Sequence, residues 1–191
     1  MPMTDPRWPA VNGWVKMSQN INGVEIHTYG IKTLGLSMIL NLNRWINMLA
    51  LCEFNTGKAI PSTERYLDET AQTDFSPLIV GEKYLVFGLI FIKNRIDYLV
   101  CETGGNPFWA PSCLFSLLDN RIPNNWGICM TQSKQDYSLL FDAFGISSII
   151  GYSFLVNKYV HYVGLLERDP VEVQHFFEEK HRIDEWWSQN N

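Results

Sequence analysis

Basic charge is scarce in this sequence. Its 191 residues carry 15 Lys and Arg against 20 Asp and Glu, a formal net charge of −5, and the basic residues cluster nowhere. Binding a nucleic-acid backbone needs such a cluster, because neutralised phosphates release counterions, so the composition speaks against a nucleic-acid partner. Long apolar runs are missing too. The stretches around 36–51 and 84–92 are too short, or too broken by Asn and Arg, to span a bilayer. The opening MPMTDPRWPAVNGW lacks the basic segment and apolar run of a secretory signal. The expectation is a cytoplasmic protein with no membrane partner. Cysteines number only four, at 52, 101, 113 and 129, without the C-x-x-C spacing of zinc or redox motifs. They read as reduced structural thiols, and the sequence assigns neither metal nor cofactor.

Catalytic signatures are missing as well. The glycines at 81, 88, 104 and 105 do not make G-x-G-x-x-G, no G-K-[ST] follows a strand, and Gly57-Lys58 reads only as a turn. Cys113 and His161 could form a nucleophile and base, but the contexts of known catalytic cysteines are not present, and Cys113 beside Leu114 and Phe115 reads as core. His175 and His181 are six apart, a spacing that does not share one helix face. The acidic groups Asp68-Glu69, Glu167-Asp169 and Glu178-Glu179 read as solubilising charge. No catalytic residue is assigned.

What is abundant is apolar and aromatic: 46% hydrophobic and 14% aromatic, with 7 Trp, 8 Tyr and 11 Phe, which is the composition of a folded core with aromatic surface to spare. Asn22-Gly23 lies between two alternating runs and predicts a β-hairpin. Residues 36–52 fit either a helix or a second hairpin turning at Asn43-Arg44. Residues 55–80 collect Thr, Ser, Pro and Asp as a joining loop does. EKYLVFGLIFIK and IDYLVCE, separated by Lys93-Asn94-Arg95, predict an antiparallel pair of buried strands. GGNPFWAPSCLF then reads as a loop before CLFSLLD rejoins the sheet, and WGICM as a further short strand. The segments around 137–166 are too mixed to assign. Over 170–187 the signals are those of a helix: Asp169 as cap, Pro170 at the first position, Glu172 completing a capping box, and Val173, Phe176, Phe177, Lys180, Ile183 and Trp187 along one packing side.

These readings give an α+β fold: a bent antiparallel sheet, as an SH3-like barrel or a small sandwich, with a packed C-terminal helix. Residues 1–58 would hold the hairpin and a helix, residues 79–191 the β-rich body and C-terminal helix, or the whole forms one compact domain. The candidate contact residues are Phe108 and Trp109, flanked by Glu102 and Asp119. A Trp between prolines makes a rigid platform, although a hydrophobic plug at the sheet's end is its commoner use.

Residues 79–130 resemble the strand set of SH3-like barrels, in which a W-x-P-x-x-L-F type step, here Trp109, Pro111, Leu114 and Phe115, precedes a closing strand. They also resemble segments of small bacterial immunity proteins of toxin–immunity systems. That resemblance implies a protein that binds and neutralises a cognate toxin, with a basic toxin domain as partner. A peptide- or glycan-binding module using Trp109, and an enzyme whose site is scattered through the sequence, are the alternatives.

Overall fold

The computed structural model of the chain describes residues 14–21, 24–31 and 48–190, with side chains from 48 to 183. The chain divides into two compact units, Met1–Arg44 and Trp45–Asn191. In the first, β1 (Trp14–Ile21) and β2 (Val24–Ile31) pair antiparallel in unbroken register from Trp14↔Ile31 to Ile21↔Val24. This is the hairpin expected around Asn22-Gly23.

The second unit is α+β, with eight antiparallel strands in two open sheets. Three strands form the smaller sheet: β3 (Leu49–Cys52), flanked by β4 (Lys83–Leu85) and by the later β8 (Phe115–Asp119). The larger sheet is built on β5 (Gly88–Ile92) and β6 (Arg95–Cys101), paired from Gly88↔Leu99 to Ile92↔Arg95 as the sequence predicts. It continues outward to β7 (Pro107–Pro111), while β8 (Phe115–Asp119) crosses back to the small sheet and β9 (Gly127–Met130) forms the far edge. Then come α1 (Ser138–Phe144), the strand β10 (Ile146–Gly151) between β5 and β9, α2 (Ser153–Asn157), α3 (Tyr159–Glu167) and α4 (Pro170–Asn190).

Strand alternation divides the larger sheet between two cores. On one face Leu89, Tyr98, Val100 and Ala110 meet Ala50, Cys52 and Tyr84 of the small sheet, together with Ile60 and Leu78 of the 55–80 segment. On the other, Ile90, Ile92, Leu99 and Ile149 meet Leu140, Leu155, Val156, Tyr162, Leu165, Phe176 and Ile183 from the four helices. The larger sheet is thus the middle of three layers.

Several expectations need correction. EKYLVFGLIFIK is not one strand: the chain leaves the small sheet at Leu85 and joins the large one at Gly88. The 49–52 end of the supposed helix or hairpin is a strand, whereas residues 36–47 lie outside the described residues. GGNPFWAPSCLF is a loop only as far as Asn106, because Pro107–Pro111 pair with β6. Prolines are admissible there since β7 is the sheet's edge, where one side of the backbone needs no ladder partner. The 55–80 segment is irregular as expected, with short 3₁₀ turns at Gly57–Ala59 and Ser62–Glu64, but its Ile60 and Leu78 are core residues.

The C-terminal helix begins as predicted. Asp169 Oδ1 accepts hydrogen bonds from the backbone N–H of Val171 at 2.9 Å and of Glu172 at 3.2 Å. Its buried side runs through Phe176 and Ile183, with Val173 packed beside them; Phe177 is more than a third exposed and lies outside that core, and Trp187 lies beyond the described side chains. Glu172 does not close the capping box, for its carboxylate is engaged elsewhere.

Candidate functional site

The side chains proposed as a contact set are not gathered in one place. Phe108 and Trp109 are consecutive on β7 and therefore face opposite ways: Phe108 packs with the small-sheet core, and Trp109 with the helical core, its ring 6.2 Å from that of Tyr162. Both are half-buried. Asp119 ends β8 opposite Leu49, where Arg121 holds it in an exposed ion pair and pulls its carboxyl below the usual range. Glu102 lies elsewhere, near Lys83, which is opposite Leu51 at the other end of β3.

Around Glu102 the structure does form a surface feature. A shallow groove of about 300 Å³ is lined by Ile79, Glu82, Lys83, Tyr84, Cys101, Glu102 and Thr103. Its floor is fixed. The Tyr84 hydroxyl accepts a hydrogen bond from the Ile79 backbone N–H at 2.9 Å, and burial, reinforced by the charges of Cys52, Glu102 and Glu82, pushes that phenol up.

The rim extends through backbone pairing. Cys52 N–H donates to the Glu82 carbonyl, Gly81 N–H to the Cys52 carbonyl, and the Asn55 side chain to the Leu78 carbonyl, so residues 52–55 run alongside 78–82. Three large apolar side chains stand open along this double strip: Phe54, Ile79 and Val80, at 49%, 56% and 54% exposure. Glu53, Glu82 and Glu102 accompany them, with Lys83 as the groove's one cation. The Cys101 thiol is turned to the carbonyls of Glu102 and Gly105 at 3.4 and 3.3 Å, and no histidine lines the groove. Exposed apolar side chains on such a surface can supply buried area in a contact, and its carboxylates favour cationic groups.

A second polar constellation was not legible in the sequence. Tyr152 Oη lies 2.6 Å from His161 Nε2, and His161 Nδ1 lies 2.7 Å from Glu172 Oε2. Tyr152 and His161 are buried, and the Glu172 side chain is nearly so. Gly164 permits the approach, since a Cβ there would sit 2.5 Å from Glu172 Cγ. Burial drives the His161 pKa below 6.5, opposed by the hydrogen bond to Glu172. Cys113 is not part of this chain, and burial pushes its thiol up rather than activating it.

A third constellation corrects the reading of Glu69 as solubilising charge and gives Arg95, expected only in the break between two strands, a buried place. Arg95 is buried in β6 and is bound by Glu69, Asp97 and the Glu64 carbonyl. Burial would lower its pKa, but the hydrogen bonds it donates to Glu69 and Asp97 raise it overall. Burial pushes the Asp97 carboxyl up, and Arg95 pulls it partway back.

Cys52, Cys113 and Cys129 are free thiols. Among the described residues no group of three His, Cys, Asp or Glu side chains is placed to hold a metal ion, and no helix is long and apolar enough to cross a membrane. Comparison with protein-family models, curated proteins and solved structures finds no match.

Proposed function

We propose that this is a protein-binding protein of the immunity type, which neutralises a cognate toxin by occluding it. The contact would be made through the Phe54, Ile79 and Val80 strip and the groove beside it. The observation that carries the reading is the combination of three exposed apolar side chains with Glu53 and Glu82 on one strip, beside a groove lined by Glu82 and Glu102. A basic toxin domain complements both features: its apolar side chains cover the anchors, and its Lys or Arg residues meet the carboxylates, with charge governing how fast the two find each other. Of the residues singled out in the sequence, Glu102 belongs to this surface, while Phe108 and Trp109 shape the sheet behind it.

Co-purification from the native host identifies the partner, and binding is then measured with the isolated partner. Ile79→Asp should weaken binding at least tenfold by placing a charge among the anchors, roughly the effect of losing a hot spot. Glu102→Lys should slow association and flatten its salt dependence. A protein that purifies alone and turns over a small molecule, or a toxin complex indifferent to Ile79→Asp, overturns the proposal.

A further inference from the structure

We propose that the partner is received as an added β-strand: an extended segment carrying Lys or Arg lies along the free edge of β4, its backbone bonded to Lys83 and Leu85 and its cation drawn to Glu82 and Glu102. The inference rests on the reading of the strip and groove as the contact surface, and it adds the form and charge of the segment that this surface takes.

The edge follows from the parity of the ladder. In an antiparallel pair, residues that exchange both backbone bonds with the neighbouring strand alternate with residues whose N–H and C=O turn the other way. Val86 N–H donates to the Met48 carbonyl and Cys52 N–H to the Glu82 carbonyl, and Tyr84 stands opposite Ala50 in the same register. Residues 82, 84 and 86 therefore face β3. Lys83 and Leu85 face away from it, on the outer side of the small sheet's edge strand. Among the described residues, none bonds their backbone N–H or C=O groups.

The edge is open because β4 and β6 part. Phe87 N–H still donates to the Leu99 carbonyl, so β6 takes the outward side of the chain at that residue. Beyond Leu99, β6 pairs with β7 alone, down to Cys101 opposite Pro107, and nothing continues the ladder past Leu85 and Lys83. The groove lies at this parting, lined by Lys83 and Tyr84 of β4 and by Cys101, Glu102 and Thr103 from the end of β6 onward. An extended peptide added to such an edge takes affinity from main-chain hydrogen bonds and specificity from the side chains beside them.

Charge selects the occupant. Glu82 and Glu102 line the groove against the single cation Lys83, and Glu53 stands on the adjoining strip. A segment with Lys or Arg is favoured there and an acidic one repelled. A second copy of this chain is disfavoured, since two such edges would bring like charges together, and a lysine on an edge strand guards against that pairing.

The probe is a random library of short linear peptides, selected on the whole protein. Selected peptides should be rich in Lys or Arg among β-branched residues. In the free protein the amides of Lys83 and Leu85, corrected for intrinsic rates, should exchange hydrogen at least about tenfold faster than those of Tyr84 and Val86, and a bound peptide should slow both by a similar factor. Lys83→Pro removes one outward donor and spares the β3 ladder, as prolines do at sheet edges. It should weaken peptide binding about fivefold or more relative to Lys83→Ala, the effect of one lost hydrogen bond. A library that yields no such peptides, peptides that leave both amides open, or a Lys83→Pro variant that binds them as well as Lys83→Ala overturns the proposal. If Lys83→Pro does not fold, the two amides of the wild-type protein decide it. Failure here is separable from failure of the immunity reading: a co-purified toxin complex that Ile79→Asp weakens but that leaves both amides open keeps that reading and sinks strand addition, whereas peptides that close both amides support strand addition even where no toxin is found.

Discussion

Arg95 of β6 and Glu69 of the 55–80 segment, 26 positions apart, face each other as a fork: Nη1 donates to Oε2 at 2.5 Å and Nη2 to Oε1 at 3.1 Å. Nε and Nη2 also bind the two oxygens of Asp97, and Nη1 reaches the Glu64 carbonyl. All five guanidinium hydrogens are thereby used. The ring of Tyr66 lies beneath both Arg95 and Lys93, at 5.0 and 4.8 Å. An irregular segment rich in polar residues is in this way tied to the central sheet.

Arg95→Met should therefore destabilise the protein by about 3 kcal/mol or more, because it strands two carboxylates in an apolar setting. The loss should be largest near neutral pH and shrink in acid, where the orphaned groups take up protons. Urea denaturation of the variant at several pH values reads both effects. Arg95→Lys, a point charge in place of a fork, should recover only part of the stability. A variant as stable as wild type would show that the 55–80 segment is held by Ile60 and Leu78 alone.

A second outcome concerns Gly88 and Gly151, which are paired across β5 and β10. A Cβ on either would come within 2.5 or 2.6 Å of Leu155 Cδ2, so the α2 leucine occupies the space both side chains vacate. Gly88→Ala should cost roughly 1–3 kcal/mol through overpacking, and Leu155→Ala roughly 2–5 kcal/mol through the cavity it leaves. The double variant should cost clearly less than the sum, since the new methyl enters the new cavity. Strict additivity in thermal melts would contradict this packing.

Truncation before Asp169 should expose the helical core. Phe176 meets Phe87 edge-on at 5.0 Å and Tyr152 at a tilt at 6.5 Å, and without α4 those rings face water. The shortened protein should bind a hydrophobic dye and aggregate. A soluble truncation with a sharp melting transition would mean that α4 is an accessory rather than part of the core.

The features legible in the sequence are those fixed by neighbours in the chain. The hairpin around residues 22–23, the β5–β6 pair and the start of α4 each follow from a turn pair, an apolar run or a capping residue within a few positions. The break between Leu85 and Gly88 left no such trace, because Val86 and Phe87 are as apolar as the strands they separate, and both are buried. Periodicity could not find β7 either, since its prolines read as loop until an edge position excuses them. The candidate site was legible only in Glu102. Phe54, Ile79 and Val80 become a surface when residues 52–55 and 78–82 pair, and exposure cannot be read from residue type. Tyr152, His161 and Glu172 are separated by nine and eleven positions that fit no motif, and His161 was considered only as a base for Cys113, which lies elsewhere.

Val86 and Phe87 have a consequence for how the protein comes apart. Val86 belongs to the small-sheet core and the next residue, Phe87, to the helical core, while their backbone N–H groups bind Met48 and Leu99 respectively. The peptide bond between them thus ties the two hydrophobic centres, as the alternating residues of β5 and β6 also do. Neither centre can dissolve without dragging this bond, and with it the other's ladder, out of place. Trp45–Asn191 should therefore melt in one cooperative step despite its layered architecture, with no half-folded species in which one face of the sheet stays dressed and the other is bare.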